Sequence, residues 1–127
     1  MKLSTVSVLS TCPSTVVNDY YRLMQLAEYS KFLSKEIQTI VKINLSWSLY
    51  YPACSTEPWQ LEGVLSSLRK DGYTNVKAAE NRTVVTDISK GLKGNKWSPI
   101  LEKYQVPFIP LPDVAWTRYK IKADTPA

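Results

Sequence analysis

The stretch Thr39-Ile40-Val41-Lys42-Ile43-Asn44-Leu45 decides how this chain is read. Ile40, Val41, Ile43 and Leu45 make it an almost continuous apolar run, the composition of a strand covered on both faces, as in a parallel sheet. Lys42 interrupts the run. An unpaired ammonium is costly to bury, so Lys42 faces a ligand crevice, pairs with a carboxylate such as Glu80 or Asp113, or snorkels to water from the strand end. Asn44 shares its face by the period of two.

On the N-terminal side, Thr5–Ser10 reads as a strand, Pro13 breaks it, and Ser14 or Thr15 can cap a helix from about Val16 to Leu33. On the C-terminal side, Ser46–Thr56 reads as a loop around Pro52. Thr56 is placed as the N-cap of a helix whose first turn holds Pro58 and whose buried face is Leu61, Val64, Leu65 and Leu68. Arg69 and Lys70 suit its last turn, and Gly72 its C-cap. Asn75–Ala79 reads as a strand, and Leu92–Tyr104 holds a helix centred on Trp97–Lys103. Val106–Leu111 reads as a fourth strand, pushed to an edge by Pro107 and Pro110. Trp116–Lys122 is a further edge strand or a tail. Alternating strands and helices predict a single α/β domain over residues 1–127. The expected form is three-layer and Rossmann-like, a mostly parallel sheet of about four strands with helices on both faces.

The 127 residues are 44% apolar with a net charge of +5, enough for one domain with a core and too apolar for a disordered chain. There is no histidine, which removes histidine general bases, histidine-ligated zinc and Ser–His or Cys–His hydrolytic sets from this chain. Cys12 and Cys54 cannot supply a four-thiolate zinc site or a complete iron–sulfur set, so the sequence names no cofactor. They are expected as two reduced thiols, with a mutual disulfide as the alternative. Ser4, Thr5 and Ser7 interrupt the only candidate leader, and no run approaches the ~18 apolar residues of a membrane span. The expectation is a cytoplasmic protein without membrane contact, of open oligomeric state.

In open parallel sheets, ligands bind beyond the carboxyl ends of the strands. That rule selects Thr11 and Cys12, Lys42 and Asn44, Glu80 and Asn81, and Asp113, together with the helix start at Ser55 and Thr56, whose N–H groups suit an anion. The candidate ligand-binding set is Lys42, Asn44, Ser55, Thr56, Glu80 and Asp113, and the expected ligand is an anionic small molecule.

Ile40–Leu45, then Ser55-Thr56-Glu57-Pro58, then Leu65–Gly72, then Ala79-Glu80, resembles the DUF362 family. Members typically show a strand ending in Lys-Pro-Asn, a Thr-x-Pro helix start, and a Leu-x-x-x-Gly helix end before a strand that finishes on an acidic residue. The resemblance runs from about Val6 to Asp113 and implies that Lys42, Asn44, Thr56 and Glu80 occupy the family's recurrent polar positions. It also implies that the chain is the N-terminal part of a longer architecture. Ile43 stands where the family has Pro, and Trp59 where an acidic residue completes a capping box. The cysteine-rich region of iron–sulfur members is lacking, so redox activity is not carried over.

Gly91-Leu92-Lys93-Gly94-Asn95-Lys96 lacks the spacing of dinucleotide or P-loop motifs and is expected as a surface turn. Trp47, Tyr50, Tyr51 and Trp59 crowd the loop after Lys42 and are expected to pin it to the core. Arg118, Lys120 and Lys122 fit a basic edge strand. The functional expectation is an anionic small-ligand site at the carboxyl edge of the sheet, with redox or group transfer favoured over hydrolysis for a catalytic form. The alternative is a non-catalytic basic and aromatic module for a protein or nucleic acid, nucleic acid being the less favoured.

Overall fold

Thr39–Lys42 forms strand β1, as its apolar run requires, and it pairs in parallel with β2, Val76–Glu80, Thr39 lying opposite Val76 and Lys42 opposite Ala79. Strand β3, Phe108–Pro110, adds in parallel to the other side of β2, with Ala78 opposite Phe108 and Glu80 opposite Pro110. The order β1-β2-β3 makes β2 central and matches its burial. The computed structural model that shows this describes residues 6–120.

Four helices accompany the sheet: α1, Val16–Leu26; α2, Pro58–Lys70; α3, Ile88–Gly94; and α4, Ser98–Lys103. Helix α2 presents Leu61, Leu65 and Leu68 to the core, the face that its 3.6-residue period marks out. Each of these leucines stabilises the fold by roughly 1.5–3 kcal/mol relative to exposure. They meet Ile43, Leu45, Tyr73, Val76, Ala78, Trp97, Leu101 and Val106. Helix α1 packs along α2, and α4 also touches α2. The α1–α2 approach is close because Gly63 has no Cβ where the Tyr20 ring lies. Among the described residues no helix is long and apolar enough to cross a membrane.

The class is the expected α/β with a parallel sheet, but the sheet holds three strands instead of about four. Residues 6–10 of the expected first strand are irregular, and residue 5 lies outside the described residues. Val6 and Val8 stand exposed there, so the alternation has no apolar surface to bury against. Among the described residues, the second helical layer expected over the sheet is not seen on β1, where Ile40 is 55% exposed. Two right-handed crossovers taken in the order β1-β2-β3 place their helices on one face.

Helix α1 stops at Leu26 rather than near Leu33, because Glu28 turns left-handed at φ 52° and starts a separate 3-10 turn, Tyr29–Lys31. The bend swings Tyr29 into contact with Tyr73. The expected third helix is two, split where Lys96 takes φ 58°. Gly91–Gly94 is therefore helical instead of a surface turn, with Gly91 buried. Its glycines allow close packing: a Cβ on Gly91 would meet Leu45, and one on Gly94 would meet the Ser48 carbonyl. Residues 116–120 form no strand, and residues 121 and 122 lie outside the described residues.

Candidate functional site

At the carboxyl end of β1 the chain leaves the sheet, and Glu80, ending β2, receives it. Glu80 is 5% exposed. Its Oε1 accepts from Lys42 Nζ at 2.6 Å and from the Asn81 N–H at 2.7 Å, and its Oε2 accepts from the Leu45 N–H at 3.0 Å. Lys42 also donates to the Ile43 carbonyl at 2.9 Å. Lys42 pairs with Glu80 and also reaches solvent from the strand end, its side chain being 53% exposed, while Glu80, a buried carboxylate with three donors, is stable where an isolated one would not be.

The loop between β1 and α2 is fastened in the same manner. The Asn44 N–H donates to the Thr56 hydroxyl at 2.8 Å, and the Thr56 N–H returns to the Asn44 carbonyl at 2.9 Å. The Asn44 side-chain amide reaches the Ser46 hydroxyl and the Cys54 carbonyl, while the Ser55 hydroxyl accepts from the Ser46 N–H at 3.1 Å. Thr56 is not the cap of α2. Glu57 holds that position in a capping box with Gln60, as the N-cap-to-N3 spacing allows. The Glu57 carboxylate also accepts from the Ala53 N–H and the Tyr50 hydroxyl, so the positive end of α2 already faces a carboxylate of its own chain. That bond to Glu57 raises the Tyr50 phenol above its ordinary range, since it favours the protonated hydroxyl.

A cleft opens beyond the carboxyl ends of β2 and β3. It measures about 460 Å³ and is lined by Arg82, Thr86, Asp87, Ile88, Leu92, Phe108, Pro110 and Asp113, among others. Arg82 follows β2 on the loop that starts at Asn81, and Asp113 closes a 3-10 turn, Leu111–Asp113, that follows β3 directly. Ile88 and Leu92 lie one helical turn apart on α3. The Asp87 carboxylate is committed to capping α3 through the Lys90 N–H at 2.9 Å, and this bond, with the Lys90 charge, holds it below the usual carboxylate range. Among the described residues the Arg82 guanidinium and the Asp113 carboxylate make no hydrogen bond or ion pair.

Of the six residues selected from the sequence, five are thus bound to one another or to adjacent backbone, and Asp113 is the member that lines the cleft. Arg82 lies one residue beyond Asn81, the last position that the rule of strand ends selects after β2. Its signal was simply a cation two residues past the acidic end of β2. Cys12 and Cys54 are both free thiols, and the exposed Cys12 is lowered from its usual range by the hydroxyls of Ser14 and Thr15. Among the described residues, no group of three or more Cys, Asp and Glu side chains could hold a metal ion.

No protein-family model, curated protein or solved structure matches the chain.

Proposed function

We propose that the chain binds a small molecule carrying an anionic group and an apolar body at the carboxyl edge of its sheet. Arg82 makes the anionic contact, and Ile88, Leu92 and Phe108 receive the body. The observation that carries this reading is the cleft itself: about 460 Å³ of space beyond β2 and β3, lined in part by Arg82, whose guanidinium has no protein partner among the described residues. Clefts of ~300–1,000 Å³ with apolar walls and a few polar groups are the usual form of small-ligand sites. Arginine suits a carboxylate or phosphate because its planar fork donates two parallel hydrogen bonds.

The test is calorimetric titration with 3-phenylpropionate, an anion with an apolar tail. Saturable binding is expected, weakened at least tenfold in Arg82→Ala, since a hydrogen bond to a charged partner contributes ~1.5–3 kcal/mol. Equal affinity in Arg82→Ala, or no binding by the parent chain, rejects the reading.

A second reading has its own support. Trp47, Tyr51 and Trp59 are exposed around the β1–α2 loop instead of pinned beneath it, which suits a basic and aromatic module. Binding to random-sequence oligonucleotides that falls steeply with salt would favour this reading.

A further inference from the structure

Arg82 and Asp113 lie on the same cleft wall system yet form no ion pair with each other, and neither side chain has a protein partner among the described residues. Arg82 is carried by the loop after β2, and Asp113 by the turn fixed to the end of β3, with Pro110 and Pro112 restricting the backbone on that side. Ile88, Leu92 and Phe108 supply apolar lining to the same cleft. The remaining acidic group at the rim, Asp87, is occupied as the cap of α3 and offset by Lys90.

A pure anion leaves Asp113 facing the ligand with unfavourable sign, whereas a molecule with both charges satisfies the two walls together. We infer that the cleft is built for a zwitterion with an apolar body, a large apolar α-amino acid being its simplest form. The carboxylate pairs with Arg82, the ammonium with Asp113, and the side chain lies on Ile88, Leu92 and Phe108. This inference rests on the anion-binding reading above and adds the cationic half of the ligand. It also assigns Asp113, selected from the sequence as a strand-end carboxylate, the task of discriminating ligands by their amine. Unlike charges placed across a recognition surface chiefly set specificity.

The experiment is a calorimetric comparison of L-phenylalanine, 3-phenylpropionate (the same molecule without the amine) and L-phenylalaninamide (without the carboxylate) on the full chain. L-Phenylalanine is expected to bind about tenfold more tightly than either analogue. In Asp113→Asn, its affinity should fall to that of 3-phenylpropionate, while 3-phenylpropionate itself binds equally or better. If L-phenylalanine and 3-phenylpropionate bind the parent chain alike, the zwitterion inference is overturned and the anion site stands. If neither molecule binds, both fall. The wild-type comparison requires no variant, so the outcome holds whether or not Asp113→Asn folds.

Discussion

At the level of single residues, buried polar groups were more legible than exposed ones. The buried member of the 2.6 Å pair is Glu80, whose carboxylate must find donors, whereas the Lys42 side chain is 53% exposed; Glu80 is one of two carboxylates that the sequence offers for Lys42. An exposed cation such as Arg82 carries no comparable constraint, so nothing local in the sequence marked it. Gly63 is a further case in which the sequence misleads. In a helix interior, alanine is favoured over glycine by about 1 kcal/mol. Here a Cβ would lie 2.6–2.8 Å from the Cγ, Cβ and Cδ2 of Tyr20, at the root of that side chain, where little can give. Gly63→Ala should therefore destabilise the chain by ~1–3 kcal/mol in urea unfolding. In a Tyr20→Gly background, which also removes the Cβ that Tyr20→Ala would leave 2.7 Å away, the same change should cost much less. Stabilisation by Gly63→Ala in the parent chain would show that α1 does not sit against α2 at this point.

Among the elements, those with a strong period were placed from sequence, and those ended by backbone geometry were not. The leucine stripe of α2 and the run of β1 needed no tertiary information. The stop of α1 at Leu26 and the break between α3 and α4 depend on left-handed backbone at Glu28 and Lys96, residues with no intrinsic preference for it. The start of α2 shows a different failure. By type Thr56 is the better cap, and the position falls to Glu57, a less usual cap residue, where the Thr56 hydroxyl is taken by the Asn44 N–H. Glu57→Ala should then cost about 1–2 kcal/mol, since it removes the cap and leaves the Ala53 N–H and Tyr50 hydroxyl without their acceptor. Spectrophotometric titration supplies an independent readout: the Tyr50 phenol, raised by Glu57, should return toward its ordinary range in the variant. An unshifted Tyr50 together with unchanged stability would mean that Glu57 caps nothing.

For the whole molecule, a chain with no histidine should owe its pH dependence below neutrality to carboxylates, and above it to phenols beside the thiols and Lys103, which Glu62 raises. Asp71 joins the two ends of the fold's helical pair, accepting from the hydroxyls of Tyr29 and Tyr21 and from the side-chain amide of Gln25. The Tyr29 hydroxyl, first, and then that of Tyr21 hold Asp71 below its usual 3.8. Thr15 and Thr11 do the same for Asp19, and the Lys90 N–H for Asp87. Each of these carboxyls has a depressed folded value, so its stabilisation is complete above the ordinary aspartate range and is lost as pH falls through the folded value. The phenols run the other way. Burial, first, and then the bond to Asp71 raise Tyr29 well above its usual 10.0, and the same bond raises Tyr21. Their contribution is complete below 10 and declines as pH rises beyond it, because the unfolded chain then releases protons that the folded chain retains. Both limbs meet at one cluster. Asp71→Asn should therefore flatten the acid limb below about pH 4 and, by removing the charge that opposes phenolate formation, also weaken the alkaline limb above pH 10. Thermal unfolding across the pH range, followed in a Cys12→Ser background to exclude thiol chemistry, checks both limbs at once. A variant that loses stability equally at every pH would show that Asp71 acts only as a hydrogen-bond acceptor, with no charge coupling to the tyrosines it joins.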